Sequence, residues 1–232
     1  MLPLRDNVPT RRPPVVTIGL IAANVLVFVL YQDAGSGAGF ASSLDDLAFH
    51  PCEIEDSCPQ VGRDWPLTAF TSMFMHAGWG HLLGNMLFLW IFGNNVEDAL
   101  GRLRFLLFYV LGGLAAIAVQ TAVTLSWGSA EAAAIPNLGA SGAISAVLGA
   151  YFILHPNARV TTLVLPFFLF QIPAVMFLGI YFLFQLLIGG LSFVQPEQGG
   201  GVAYFAHLGG IAFGLLTVRL FTAGRRRPRF GT

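Results

Sequence analysis

The chain has 232 residues, of which 55% are hydrophobic and 10% are charged, and its mean hydropathy is +0.70. Soluble domains carry about 25% charged residues, so this composition excludes an ordinary soluble domain and predicts an integral membrane protein. The net charge is zero, and no basic patch indicates nucleic acid as a partner.

Six apolar segments predict an all-α polytopic membrane protein with six spans. In chain order they are about 15–31, 80–96, 105–125, 140–154, 173–193 and 202–220. We expect three parts: a cytoplasmic tail at 1–14, a membrane domain at 15–221 and a basic cytoplasmic tail at 222–232. A polar loop at about 33–78 follows the first span and is expected to be extracytoplasmic.

The uncharged stretch 160–194 is too long for one span, since 35 helical residues would measure roughly 50 Å against a hydrocarbon core of about 30 Å. Pro166 and Pro173 interrupt its first half. We therefore predict an interfacial or re-entrant piece at about 160–172, followed by the fifth span. The alternative is two spans, which would make seven in all.

The distribution of Arg favours six spans. All twelve basic residues are Arg, and six spans place every one except Arg63 on the cytoplasmic side, as the positive-inside rule requires. A seventh span would put residues 225–227 outside.

The absence of Lys is typical of a GC-rich genome. We expect a multi-pass protein of a bacterial plasma membrane with both termini cytoplasmic.

The two cysteines, Cys52 and Cys58, both lie in the long first loop. Outside the cell a disulfide persists, so a bridge between them would constrain the loop. The alternative is a pair of free thiols. His50 nearby permits a metal site, but three ligands without a fourth are a weak signal.

Four polar side chains from three distant segments fall at one depth in the predicted membrane. At a rise of about 1.5 Å per residue, Ser141 lies about 21 Å above the inner boundary, His207 and Asn85 about 18 Å, and His81 about 24 Å. Polar groups at such depth are costly and mark functional sites. These four residues are therefore predicted to form one site.

The residue types indicate acyl transfer. A serine hydroxyl needs a base to take its proton, and histidine suits that role near neutral pH. His81 and Asn85 are four apart, so they share a helix face and can donate hydrogen bonds to an oxyanion, together with the Ser141 amide. No carboxylate falls in this layer, so a dyad is predicted rather than a triad.

Each of these residues also has a purely structural interpretation. A lone membrane serine commonly bonds to its own helix, and a lone histidine near an interface is commonly structural. Gly139 and Gly142 leave room around Ser141, while Gly210 and Gly214 predict close approach of spans four and six. These features favour the catalytic interpretation. A metal bound by His76 and His81 would lack a third ligand at this depth.

Three motifs resemble the rhomboid family of intramembrane serine proteases, bacterial type with six spans. The resemblance covers about Trp65 to Leu216. The motifs are His-Leu-Leu-Gly-Asn at 81–85, Gly-Ala-Ser-Gly at 139–142 and Ala-His-Leu-Gly-Gly at 206–210, and Glu97 with Gly101 is similar to the family as well.

The resemblance implies that Ser141 is the nucleophile, that His207 is the general base, and that His81 and Asn85 stabilise the oxyanion. It implies single-span membrane proteins as substrates, cut near the outer end of their helix at small residues. Span five and the loop at 192–201 would act as gate and cap. We expect no cofactor and no metal, with the lipid bilayer and membrane substrates as partners; oligomeric state and substrate-binding residues stay open.

Two positions depart from the family pattern. Many members carry an aromatic residue four positions after the nucleophile, under the histidine ring, where this chain has Ser145. Either another aromatic holds His207 or the ring is looser and catalysis slower. The first loop often has Trp-Arg, and here it has Trp65-Pro66.

Two other functions compete with the protease. A catalytically silent rhomboid-like protein would bind membrane helices without cutting them, and its sequence signature would be loss of the serine or histidine. A transporter would place paired charges or broken helices at the midplane, whereas the charges here lie at the edges of the predicted spans.

Overall fold

The computed structural model describes residues 1–58, 64–164, 168–194 and 203–223, and this part of the chain is mostly helical. Its α-helices are α1 (Val15–Leu26), α2 (Gly37–Leu47), α3 (Trp65–Thr71), α4 (Trp79–Phe88), α5 (Asn94–Leu100), α6 (Arg102–Trp127), α7 (Ala130–Ala133), α8 (Ser141–Leu154), α9 (Ala174–Val194) and α10 (Tyr204–Thr222). π turns extend α1 through Val27–Tyr31 and join α4 to α5 through Leu89–Gly93. Short 3₁₀ helices lie at Asp33–Gly35, Pro51–Glu55 and Ser72–Phe74.

In the part of the chain that the structure describes, each of the six predicted spans lies mainly on helix, but the helices differ in length. Within the described residues, α6 and α10 are each long and apolar enough to cross a bilayer. The apolar helical stretches Val15–Tyr31, Ser141–Leu154 and Ala174–Gly190 are shorter. Six spans therefore stay a prediction. Arg63, Pro166, most of the predicted cap at 192–201 and the predicted tail from residue 224 onward lie outside the described residues.

The prediction of an all-α protein is confirmed only in part, because the described chain is mostly helical but also forms a three-stranded sheet. Its strands are β1 (Leu2–Asp6), β2 (Arg159–Val164) and β3 (Phe168–Pro173), in the order β1-β2-β3 and antiparallel throughout. The segment predicted to be an interfacial or re-entrant piece is thus two paired strands. Their third partner comes from more than 150 residues away, at 2–6, which no local pattern reveals.

Asp6 fastens this sheet to the helices. Its carboxylate accepts hydrogen bonds from the Tyr151 hydroxyl of α8 and from the Asn95 side-chain amide of α5. Burial raises the pKa of the Asp6 carboxyl. Because both donors stand on helices of the core, β1 is held at a defined end of the bundle.

Glu97 plays a similar part at the start of α1, which follows Pro14 and has no side-chain cap of its own. One Glu97 oxygen accepts the Thr17 amide and hydroxyl, each at 2.8 Å, and the other accepts the Val16 amide at 3.1 Å. A helix start leaves unpaired N–H groups and favours negative charge. A carboxylate from α5 therefore caps α1 across 80 residues of chain.

The centre of the fold is α8. Every residue from Gly142 to Tyr151 is buried, as expected for a helix that is apolar all round and surrounded by protein. It packs most extensively against α10, with α6 on another side. Ser141, the first residue of α8, is therefore carried by the most enclosed element.

The close approach of α8 and α10 depends on glycine, as predicted from the sequence. A Cβ atom at Gly210 would collide with the Gly142 carbonyl oxygen, and one at Gly214 would collide with the Ala146 carbonyl and lie 2.9 Å from the Ala150 nitrogen. Gly210 meets Gly142, and Gly214, one turn later, meets Ala146. The contacts therefore advance in the same direction along both helices, and α8 and α10 run parallel. The first turns of both helices consequently lie side by side.

Gly214→Ala is expected to lower the free energy of unfolding by about 1–3 kcal/mol, because the new methyl group must push two backbones apart. The matched control is Gly179→Ala on α9, where a Cβ would meet nothing within 4 Å. That control should be neutral or stabilising by up to about 1 kcal/mol, since alanine favours helix. Thermal midpoints in detergent measure both; equal midpoints would refute the close packing.

Candidate active site

Ser141 stands where an extended segment turns into a helix. Gly139 has φ of +123°, a conformation that favours glycine, and its amide donates to the Ser72 carbonyl at 2.9 Å. Asn137 pairs with Phe49 through two backbone hydrogen bonds, of 2.7 and 3.2 Å. The loop between α1 and α4 thus holds the segment that delivers the Ser141 hydroxyl to the site.

His207 faces Ser141 from the first turn of α10. Its Nε2 lies 2.8 Å from Ser141 Oγ, within hydrogen-bonding distance. The preceding amide, of Ala206, donates to Gln120 Oε1 of α6 at 3.1 Å. The structure therefore brings together two residues 66 positions apart, with the ring nitrogen directed at the hydroxyl oxygen.

The other ring nitrogen of His207 has a partner that the sequence reasoning missed. Nδ1 lies 2.9 Å from Gln185 Oε1 on α9, in a buried contact. The available signal was a single amide within the long apolar run 174–190, but apolar context alone does not tell which neighbour it meets. His207 therefore has a neutral partner within the described residues, where the histidine of a Ser-His-Asp triad would have a carboxylate.

Position 145 carries no aromatic ring, and an aromatic contact to His207 comes from its own helix instead. Tyr181 of α9 borders the same cavity as His207, while the buried Ser145 hydroxyl has no hydrogen-bond partner among the described residues. The Tyr204 ring meets the His207 ring edge-on, with centroids 6.5 Å apart. His207 is thus flanked by side chains of α9 and α10.

His81 and Asn85 lie on the face of α4 that borders Ser141 and His207. His81 Nδ1 accepts the Ala77 amide at 3.3 Å, so a neutral ring carries its proton on Nε2. The ring lies against Gly139, where a Cβ would come within 2.8 Å of it. Asn85 Nδ2 is buried and has no hydrogen-bond partner among the described residues, which is costly unless a ligand satisfies it.

All four of these side chains border one cavity of about 740 Å³. Its remaining wall is mainly apolar and includes Phe40 and Leu44 of α2. Ser141 is the first residue of α8, so its backbone N–H belongs to the unpaired amides of a helix start. Such amides attract negative charge. The cavity therefore combines a hydroxyl, an adjacent imidazole and several hydrogen-bond donors.

The first loop carries the two cysteines as a Cys52–Cys58 disulfide. Beside it, Glu53 accepts the Thr68 hydroxyl at 2.6 Å and the His50 amide at 2.9 Å. His50 Nδ1 lies 3.2 Å from the same carboxylate, so the His50 side chain contributes to the structure of the loop.

No group of three or more metal-ligating side chains occurs in the described ranges. His76 is buried and packs against His81, with ring centroids 5.1 Å apart.

Comparison with known proteins identifies the family. The model of the Rhomboid domain matches residues 64–224. The chain is 31% identical over 225 residues to RHOMBOID-like protein 12, mitochondrial, of Arabidopsis thaliana, covering 91% of this chain and 60% of that protein. It is 32% identical over 147 residues to Rhomboid protein 1, mitochondrial, of Saccharomyces cerevisiae, covering 62% and 39%.

A third relative is the human Presenilin-associated rhomboid-like protein, mitochondrial, 28% identical over 197 residues, with 85% of this chain and 46% of that protein covered. The chain thus spans about half the length of these relatives. Each is named as mitochondrial, which contradicts the predicted bacterial plasma membrane with cytoplasmic termini. Composition and charge asymmetry orient a membrane protein but do not identify the membrane.

The three motifs, the site that they form and the match over residues 64–224 agree, and the chain belongs to the rhomboid family.

Proposed function

We propose that this chain is an intramembrane serine endopeptidase. Its substrates are single-span membrane proteins, cut near the end of their helix on the side of the 33–78 loop. The observation that carries the proposal is the 2.8 Å contact between His207 Nε2 and Ser141 Oγ inside the cavity. A protein that only held membrane helices would need neither this contact nor donors beside it.

The geometry supports the following reaction. Ser141 Oγ attacks the scissile carbonyl carbon while its proton passes to His207 Nε2. The Ser141 amide, His81 Nε2–H and Asn85 Nδ2–H donate hydrogen bonds to the oxyanion that forms. His207 then protonates the leaving amine, and a water molecule, deprotonated by the same ring, hydrolyses the acyl-serine.

The proposal includes six membrane spans, formed by α1, α4 with α5, α6, α8, α9 and α10. Contacts at one end of the bundle support this arrangement. The β1–β2 pairing sets Arg5 opposite Thr161, and the Arg104 guanidinium donates to the carbonyls of Phe221 and Ala223. Basic residues therefore gather at the end opposite the site, as the positive-inside rule favours. The relatives' names support a mitochondrial membrane.

Substrate entry requires local unwinding of the substrate helix. A helical peptide bond is already hydrogen-bonded, so Ser141 cannot reach it until the helix opens. Glycine and proline in the substrate span lower that cost. Because the cavity wall is mainly apolar apart from the catalytic groups, small uncharged side chains at the cut site are the class it accommodates.

Ser141→Ala is expected to lower cleavage of a model transmembrane substrate by at least about 1,000-fold, because the nucleophile is lost. A fluorophosphonate probe should label the parent protein and not the variant. The control is Ser126→Ala, an exposed serine on α6, which should match the parent in both assays. A folded parent protein that neither cuts nor labels would instead identify a silent helix-binding protein.

Asn85→Ala is expected to reduce kcat by about 10- to 1,000-fold while KM changes little, since an oxyanion donor acts mainly in the transition state. Steady-state kinetics in detergent or liposomes measure the two constants separately. If KM rose and kcat stayed constant, Asn85 would contribute to substrate binding and not to oxyanion stabilisation.

A further inference from the structure

A histidine acts as base only in the right tautomer. To take a proton from Ser141, the neutral His207 ring must carry its own proton on Nδ1 and leave Nε2 bare. In serine proteases with a triad, a carboxylate on the Nδ1 side selects this tautomer. In this protein His207 Nδ1 faces α9, and a neutral side chain of that helix lies where a triad has its carboxylate.

That group is the Gln185 side chain. Its Oε1 lies 2.9 Å from His207 Nδ1, and both side chains are buried, with exposed fractions of 6% for Gln185 and 9% for His207. An amide oxygen only accepts, so the ring nitrogen opposite it must donate. The contact therefore favours the proton on Nδ1.

A neighbour on the same helix favours this orientation of the amide. Gln185 and Tyr181 are four residues apart on α9 and share one face. A hydroxyl on that face would accept from the amide nitrogen and leave the amide oxygen for His207. Had the amide been reversed, its nitrogen would donate to Nδ1 and move the ring proton to Nε2, facing Ser141.

We propose that Gln185 is a positioning residue that holds His207 in the tautomer required of a base. The inference rests on the proposed function for its catalytic consequence, but not for its geometry. Gln185 supplies the acceptor that a triad takes from a carboxylate, and it does so without a buried charge. It also offsets the lack of an aromatic at position 145, because a hydrogen bond orients the ring that stacking would otherwise hold.

The position of Gln185 links the base to α9. The contact between α8 and α10 is backbone to backbone at Gly210 and Gly214, whereas α9 exposes Leu183, Phe184 and Leu187 along its outer side. Displacement of α9 would withdraw the acceptor from Nδ1 without separating Ser141 from His207. The His207 ring is therefore held in the tautomer of a base only while α9 packs against α10.

The first experiment reads the tautomer directly, without any activity assay. The parent protein, labelled with ¹⁵N at its five histidines, is examined by NMR near neutral pH, and His207→Gln assigns the signal. A protonated Nδ1 and an unprotonated Nε2 on His207 are expected. A proton on Nε2 would overturn the proposal whatever the variants do.

The second experiment uses Gln185→Met, which keeps the side-chain length and removes the acceptor, and Gln185→Glu, which keeps an acceptor. The Met variant should show both His207 tautomers and lose about 10- to 100-fold in kcat with little change in KM. The Glu variant should recover kcat to within about threefold of the parent. The control Leu186→Ala, exposed on the same helix, should behave as the parent.

The outcomes separate the two proposals. If the parent does not cleave but His207 carries its proton on Nδ1, the proposed function fails and the positioning role stands. If the parent cleaves and the Met variant keeps both its kcat and a single tautomer, the positioning role fails and the proposed function stands. Should the Met variant not fold, the parent spectrum decides.

Discussion

The site depends on one packing constraint, the backbone contact between α8 and α10. Gly210 and Gly214 leave no room for even a methyl group against α8. Close contact between membrane helices of this kind relies on small residues because lipid offers no hydrophobic drive for association. Since the two helices run parallel, their first turns meet, and Ser141 and His207 come within 2.8 Å. A wider spacing would leave two ordinary polar side chains in an apolar setting.

The same setting explains why the partner of His207 is an amide. A charged side chain at the centre of a membrane helix costs about 2.5–3.5 kcal/mol or more, and a buried carboxylate needs further partners to offset its desolvation. Gln185 provides an acceptor of fixed direction at lower cost. What is given up is the electrostatic support that a carboxylate lends to an imidazolium. Orientation, rather than charge, is therefore the main contribution from α9.

The loop between α1 and α4 is part of the scaffold of the candidate site. Its Phe49 and Ser72 hold Asn137 and Gly139 by backbone hydrogen bonds, and those residues lie four and two positions before Ser141. The Cys52–Cys58 disulfide and the buried Glu53 stiffen the same loop. A serine at a helix start has its amide free for an oxyanion, but only if the segment before it is held. The loop meets that requirement from outside the helical core.

By itself, the sequence determined the helical segments, the four polar residues of the site and the glycine face of α10, because each is visible as a local pattern of polarity or size. Only the tertiary structure decided the long-range contacts that leave no such local pattern. β1 pairs with β2 across more than 150 residues, and Gln185 meets His207 from a helix whose facing side depends on how it packs. These two contacts follow from three-dimensional packing, because neither the hydrophobic pattern of 2–6 nor a single amide in an apolar run indicates which partner it will meet.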